Sequence, residues 1–160
     1  MGDTQPKDSP RKDSKSASQK TGSSRRQLAG SERARVIIAD DDPLILDQIA
    51  SLLETRFDVV ARVGNGSELV DAVKRLVPAV VVADIAMPKL NGIEATRQIR
   101  KTNLDVKVVM LSGYSDDALI EGAFDAGASG YVVKLTAFTD LIPAIEKVLA
   151  GQSYWPHDPS

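Results

Sequence analysis

The chain has 160 residues, 42% of them hydrophobic, with 20 Lys/Arg against 22 Asp/Glu, one histidine (His157) and no cysteine. That length suits one domain of ordinary size. The composition excludes disulfides, thiolate metal sites, cysteine nucleophiles and multi-histidine metal sites, and it argues against a Ser-His hydrolase. No run approaches the roughly 18–20 apolar residues of a membrane-spanning helix.

Charge divides the chain near residue 34. Residues 1–34 hold eight Lys/Arg and four acids, net +4, which leaves net −6 for the remainder. This segment is rich in Ser, Lys, Gln and Gly and poor in aliphatic residues, so it cannot bury enough apolar surface to offset its ordering entropy. It is expected to be a disordered, solvated tail. Ser24-Arg25-Arg26 lacks the apolar region of a twin-arginine signal. Met1-Gly2 has Pro6 where a myristoylation motif needs Ser or Thr, and the four acids argue against a transit peptide.

From Arg35 short apolar runs alternate with amphipathic stretches. The first strand is expected over 35–39. A helix starts at Pro43, where proline suits the first turn, with Leu44, Ile45, Ile49, Leu52 and Leu53 mainly on one face. The second strand is 57–63 and the second helix 66–76, with Leu69, Val70, Val73 and Leu76 apolar. Gly64-Asn65-Gly66 between them lacks the third glycine of a dinucleotide loop, so it is read as a turn. The third strand, 79–83, is a continuous apolar run of the kind buried on both faces of a parallel sheet. Asn91-Gly92 opens a third helix. The fourth strand is 106–111, and a fourth helix spans 115–126 with Ser115 as N-cap and Gly127 as stop. The fifth strand is 131–133. The fifth helix begins at Thr139 or Asp140, since Pro143 belongs near a helix start, and Gly151 ends it. Five consecutive β-α units predict a doubly wound, flavodoxin-like parallel sheet in the order 2-1-3-4-5, spanning 35–152, with 153–160 a tail or the start of a linker. In that order ligands bind beyond the carboxyl ends of the first and third strands.

The residues at such ends are Asp40, Asp41, Asp84, Ser112 and Lys134. Two carboxylates about 4 Å apart repel by roughly 4 kcal/mol at an effective dielectric of 20, so three need a cation or raised pKa values. Magnesium suits an all-oxygen site and is often shared with phosphate oxygens. A carboxylate nucleophile beside such a metal points to phosphoryl transfer, with Lys134 as a second cation and Ser112 as a hydrogen-bond donor. Singly, each residue has a plainer reading. Asp40–Asp42 suit a helix N-terminus, Asp84 and Ser112 a turn, Lys134 a snorkelling strand end, and Tyr131 a half-buried strand aromatic.

Together, Asp40-Asp41-Asp42-Pro43-Leu44, Asp84-Ile85-Ala86-Met87-Pro88, Asn91-Gly92, Leu111-Ser112-Gly113 and Gly127 through Lys134 resemble the receiver domain of bacterial two-component response regulators. The opening motif and the ending Ala150-Gly151-Gln152-Ser153-Tyr154-Trp155-Pro156 resemble the subfamily whose receivers precede a LuxR-type helix-turn-helix. The resemblance implies that Asp84 accepts a phosphoryl group from a histidine kinase. It also implies that Asp41, Asp40 (largely through water), Asp84 and the Ala86 backbone carbonyl bind Mg2+. Lys134 would pair with the phosphoryl oxygens. Ser112 would move toward one of them, and Tyr131 would follow Ser112. The fourth helix, fifth strand and fifth helix would form the output face. It further implies a cytoplasmic, self-phosphorylating phosphoacceptor rather than a turnover enzyme, homodimerisation through a helix face, and no membrane partner.

Three positions depart from the pattern. Ala86 stands where many receivers carry a polar residue, Tyr114 is not small and polar, and Leu135 replaces the frequent proline after Lys134. The first two flank the hydrolytic-water path of the family; the third bears on whether the Lys134-Leu135 bond is cis. No second domain fits after Gly151, so the expectation is either a receiver whose DNA-binding domain lies outside this chain or a single-domain regulator acting by protein contact. An aspartyl-nucleophile phosphatase of the haloacid dehalogenase type is disfavoured by Leu44 in place of Thr and by the lack of room for a substrate cap. A flavodoxin-like cofactor protein is disfavoured by the lack of a Ser/Thr-rich phosphate loop.

Overall fold

Five apolar runs become five parallel strands, β1 (Arg35–Ala39), β2 (Asp58–Val63), β3 (Val80–Asp84), β4 (Lys107–Ser112) and β5 (Gly130–Val133). They pair in the order β2-β1-β3-β4-β5, the flavodoxin-like order expected from the alternating pattern. Between and after them run α1 (Pro43–Leu53), α2 (Gly66–Leu76), α3 (Gly92–Thr102), α4 (Asp117–Ala126) and α5 (Ala137–Leu149). This computed structural model describes residues 32–103 and 105–156. The chain divides into Met1–Arg33 and Ala34–Ser160, and the fold is that of the second unit. The expectations for residues 1–31 and 157–160 lie outside the described residues.

Strand periodicity separates two cores. Ile37, Ala39, Val81, Ala83, Val108, Met110 and Tyr131 face α2, α3 and α4. Their neighbours Val36, Ile38, Val80, Val82, Val109, Leu111 and Val132 face α1 and α5. β3 is buried at every position, as its unbroken apolar run requires of a central parallel strand.

Helix ends follow local chemistry. Asp42 caps α1 through the Leu44 N–H, 2.9 Å away. At α2, Asn65 accepts from the Glu68 N–H (2.9 Å) while the Glu68 carboxylate accepts from the Gly64 N–H (3.2 Å), a near-reciprocal capping arrangement. α2 ends on Val77 in the left-handed region (φ 47), an uncommon place for a β-branched residue. The Arg35 guanidinium donates to the carbonyls of Leu76 (2.5 Å) and Val77 (3.2 Å) and holds this end in place. Gly127 (φ 100) ends α4 as expected.

Two helix starts differ from expectation. Asp116, not Ser115, caps α4, accepting from the Leu119 N–H at 2.9 Å. Both residue types cap well, and the charged one also favours the positive end of the helix. α5 starts at Ala137 rather than Thr139 or Asp140, because a single 3-10 turn over Lys134–Thr136 leads straight into it. Pro143 therefore lies inside the helix, where it removes one N–H donor. Pro143 and Thr139 are both exposed, so water can serve the carbonyl left without a partner.

Candidate functional site

The central strands deliver their last residues to one end of the sheet. Asp40 follows β1, and Asp84 and Ser112 are the last residues of β3 and β4. Lys134 opens the 3-10 turn after β5. The structure brings Asp40, Asp41 and Asp84 together, with one carboxylate oxygen of each within 4.8 Å of the others. Asp40 and Asp84 are buried, at 1% and 5% exposure, while Asp41 is exposed. Asp42, the third acid of the run, takes no part; it is the helix cap.

Lys134 bridges the two buried acids. Its Nζ lies 2.9 Å from Asp40 Oδ2 and 3.3 Å from Asp84 Oδ2. Three carboxylates against one ammonium leave two formal negative charges. The pKa directions express this imbalance. Burial, then the Asp40 charge, pushes the Asp84 carboxyl above its ordinary value, against the opposing pull of Lys134. Burial pulls the Lys134 ammonium down, but the close contact with Asp40 and the two carboxylate charges outweigh it and hold it above its ordinary value.

The donor set fits magnesium. It consists of oxygens only. Asp40 Oδ2 is buried and, although within ion-pair range of Lys134, has no directed hydrogen bond. Asp40 Oδ1 is already engaged by the Asp42 N–H at 2.9 Å.

The loop after Asp84 is tightly held. The Ala86 N–H donates to Asp84 Oδ1 at 3.3 Å, and the Gly92 N–H donates to the Ile85 carbonyl at 2.8 Å. A three-residue turn closed by Leu90 N–H to Pro88 C=O (2.7 Å) puts Lys89 at φ 68. A Cβ on Gly92 would sit 2.2 Å from the Asp84 carbonyl oxygen, and one on Gly66 would sit 2.0 Å from that of Leu90. Only glycine permits these approaches.

Ser112 and Tyr131 form the other wall. Ser112 Oγ accepts from the Tyr114 N–H at 3.1 Å, and the Tyr131 hydroxyl donates to the Tyr114 carbonyl at 2.5 Å. Tyr131 is fully buried rather than half-buried. Burial pushes its phenol pKa up, against a hydrogen-bonding contact with Ser112 that works the other way. Tyr114 is 71% exposed and Ala86 is exposed, so the two departing positions both face solvent. Leu135 is 91% exposed, and no described peptide bond is cis.

Comparison with known proteins accords with this geometry. Residues 36–146 match the family described as response regulator receiver domain. The chain belongs to the response regulator receiver family. It is 39% identical over 124 residues to the transcriptional regulatory protein LnrK of Bacillus subtilis, covering 76% of this chain and 56% of that protein. A LuxR-family two-component response regulator from Aurantimonas sp. superposes with a TM-score of 0.74 at 35% identity, over 76% of this chain and 89% of that one. The isolated receiver domain of RcsB from Salmonella enterica, determined with phosphomimetic BeF3-, superposes with a TM-score of 0.71 at 28% identity, over 78% and 94%. The receiver thus spans about half the length of the curated relatives it matches.

Sequence reasoning missed several participants. Gly92 was read as a helix start and as part of the motif set, and nothing local marks its approach to Asp84. Gly66 and the Tyr114 carbonyl act through tertiary contacts, and Trp155, against Tyr131, through a long-range stack. Trp155 stands in the closing motif of the resemblance, but nothing in the sequence marks its stack on Tyr131.

Proposed function

We propose that this receiver is a phosphorylation-switched signalling domain in which Asp84 accepts a phosphoryl group from a histidine kinase. The observation that carries the reading is the buried pair Asp40 and Asp84 sharing one lysine, with Asp41 at its rim. Such an arrangement is electrostatically incomplete, and it is completed by a divalent cation and a phosphoryl group.

The chemistry follows from the positions. An Asp84 carboxylate oxygen attacks phosphorus, forming an acyl phosphate as the bond from phosphorus to the donor nitrogen breaks. Transfer of this kind needs in-line positioning and charge neutralisation more than covalent help. Asp84 Oδ1 is held by the Ala86 N–H, which orients the carboxylate. Lys134, 3.3 Å from Asp84 Oδ2, would pair with phosphoryl oxygens, and Ser112 would donate to one of them. Asp40, Asp41, Asp84 and the Ala86 carbonyl would hold Mg2+, which when bound neutralises charge on the phosphoryl oxygens. The product state differs in charge and hydrogen bonding around Ser112 and Tyr131, so the equilibrium between two surfaces shifts. The α4-β5-α5 face would carry the output, through homodimerisation and a DNA-binding domain outside this chain, in a cytoplasmic setting.

Intact mass after incubation with acetyl phosphate and magnesium tests the reading, beside Asp84→Ala and an EDTA control. One phosphoryl adduct that needs both Asp84 and metal is expected. A folded wild-type protein with no adduct would overturn it.

A further inference from the structure

We propose that Tyr154–Pro156 forms a strap along β5 whose seat on Tyr131 changes with the phosphoryl state of Asp84. The inference rests on the phosphoacceptor reading above. After α5 the chain turns at Gly151 (φ 86), and the Gln152 N–H returns to the Lys147 carbonyl at 2.9 Å. It then runs parallel to β5. The Tyr154 N–H donates to the Ser129 carbonyl (3.2 Å), and the Tyr131 N–H to the Tyr154 carbonyl (2.8 Å). A Cβ on Gly130 would come within 3.1 Å of the Tyr154 oxygen, so the glycine at the start of β5 eases this approach.

Side chains hold the strap as well. The Trp155 indole stacks on the Tyr131 ring (centroids 6.4 Å apart, planes 29° apart) and tilts against Phe124 of α4 (5.6 Å, 59°). The Lys147 ammonium lies 5.9 Å from the Tyr154 ring centroid. Tyr131 thus touches both the strap and the loop that carries Ser112's partner.

That loop links the strap to the acids. Ser112 Oγ accepts from the Tyr114 N–H, and the Tyr114 carbonyl accepts from the Tyr131 hydroxyl. When the Ser112 hydroxyl moves toward a phosphoryl oxygen to donate to it, Oγ pulls on the Tyr114 N–H that it accepts from, and the loop shifts. The buried Tyr131 hydroxyl must follow the Tyr114 carbonyl, since leaving it unsatisfied is costly. Its ring moves, and the indole stacked on it moves too. A recess of about 260 Å3 bordered by Tyr131, Thr136, Asp140, Tyr154 and Trp155 gives both rings room to repack.

Trp155 is the only tryptophan of the chain, so its emission reports on the strap alone. The full chain is titrated with beryllofluoride, a phosphoryl mimic, in the presence of magnesium. Bound beryllofluoride is followed by 19F NMR and Trp155 by fluorescence. An emission change that saturates together with the bound 19F signal is expected. Tyr131→Phe, which keeps the ring but loses the tie to Tyr114, should bind beryllofluoride and lose at least half of that change. By reciprocity, Trp155→Ala should shift the half-saturating beryllofluoride concentration, by about fivefold. A bound 19F signal with unchanged emission, and unchanged half-saturation in Trp155→Ala, would overturn the inference alone and make the strap a static seal. No bound 19F signal would overturn the Asp84 reading and the strap with it.

Discussion

Three consecutive aspartates do three different things. Asp42 caps a helix, Asp40 is buried against Lys134, and Asp41 stands at the solvent edge of the acid cluster. The run was legible as an acidic strand end, but the division of labour was not, because it depends on where each side chain points as α1 begins. Asp84 carries the electrostatic cost. Its carboxyl titrates above the ordinary value, so the folded state resists its ionisation. Well below the ordinary carboxyl value of 3.8 the group is protonated in folded and unfolded chains alike and the cost vanishes. It grows as pH rises from that ordinary value to the raised folded one and is complete above the latter. Asp84→Asn should therefore be no more stable than wild type well below the ordinary value and more stable at pH 7 without divalent cations, as read from urea midpoints. Equal midpoints at pH 7 would show that Lys134 already cancels the charge. Ala86 raises a kinetic question of its own. Its side chain is exposed next to Asp84, so Ala86→Asn would place an amide within reach of water near the acyl phosphate. A changed lifetime of the phosphoryl adduct is expected, and mass spectrometry after removal of the donor measures it; an unchanged decay rate would count against any role of this position.

At the level of elements, the strands were the most legible feature and the helix starts the least. A run such as Val80–Ala83 has one reading in a parallel sheet, whereas Ser115 and Asp116 offer two adjacent caps that local chemistry barely separates. The start of α5 was misplaced because proline was given more weight than it has on a wet helix face, where the missing hydrogen bond is partly replaced by water. The loop between β3 and α3 lay beyond sequence reasoning for a different reason. Its shape is set by backbone packed on backbone, Gly92 against Asp84 and Gly66 against Leu90. Gly92→Ala tests this. The added methyl has no flexible neighbour to displace on the Asp84 side, so overpacking should cost about 1–3 kcal/mol. It should also slow adduct formation, because the displaced atom is the carbonyl of the phosphoacceptor itself. Thermal melts and the rate of mass gain with acetyl phosphate measure the two effects. A fully stable, fully reactive variant would mean that the loop gives way freely.

For the whole molecule, the alternation of strand and helix determined topology, and topology placed Asp40, Asp84, Ser112 and Lys134 at one end of the sheet. That much of the site was legible because parallel strands all deliver their carboxyl ends to the same side. The closing segment was not legible, since two backbone hydrogen bonds and one indole stack leave no periodic trace.

The placement of Tyr154 also bears on self-association. An open sheet has two outer strands whose unpaired amides can template pairing with another copy. Here the outer strands are β2 and β5. β2 is guarded by an irregular register opposite Val36 and Ile37 and by the exposed, ion-paired Arg62. β5 reads Gly130-Tyr131-Val132-Val133, without a charge in its strand, and Tyr154 takes up the Tyr131 N–H. A chain shortened to end at Gly151 should therefore elute from size-exclusion columns as larger species at high concentration, and the full chain should not. Tyr154 acts as the gatekeeper of an otherwise adhesive margin.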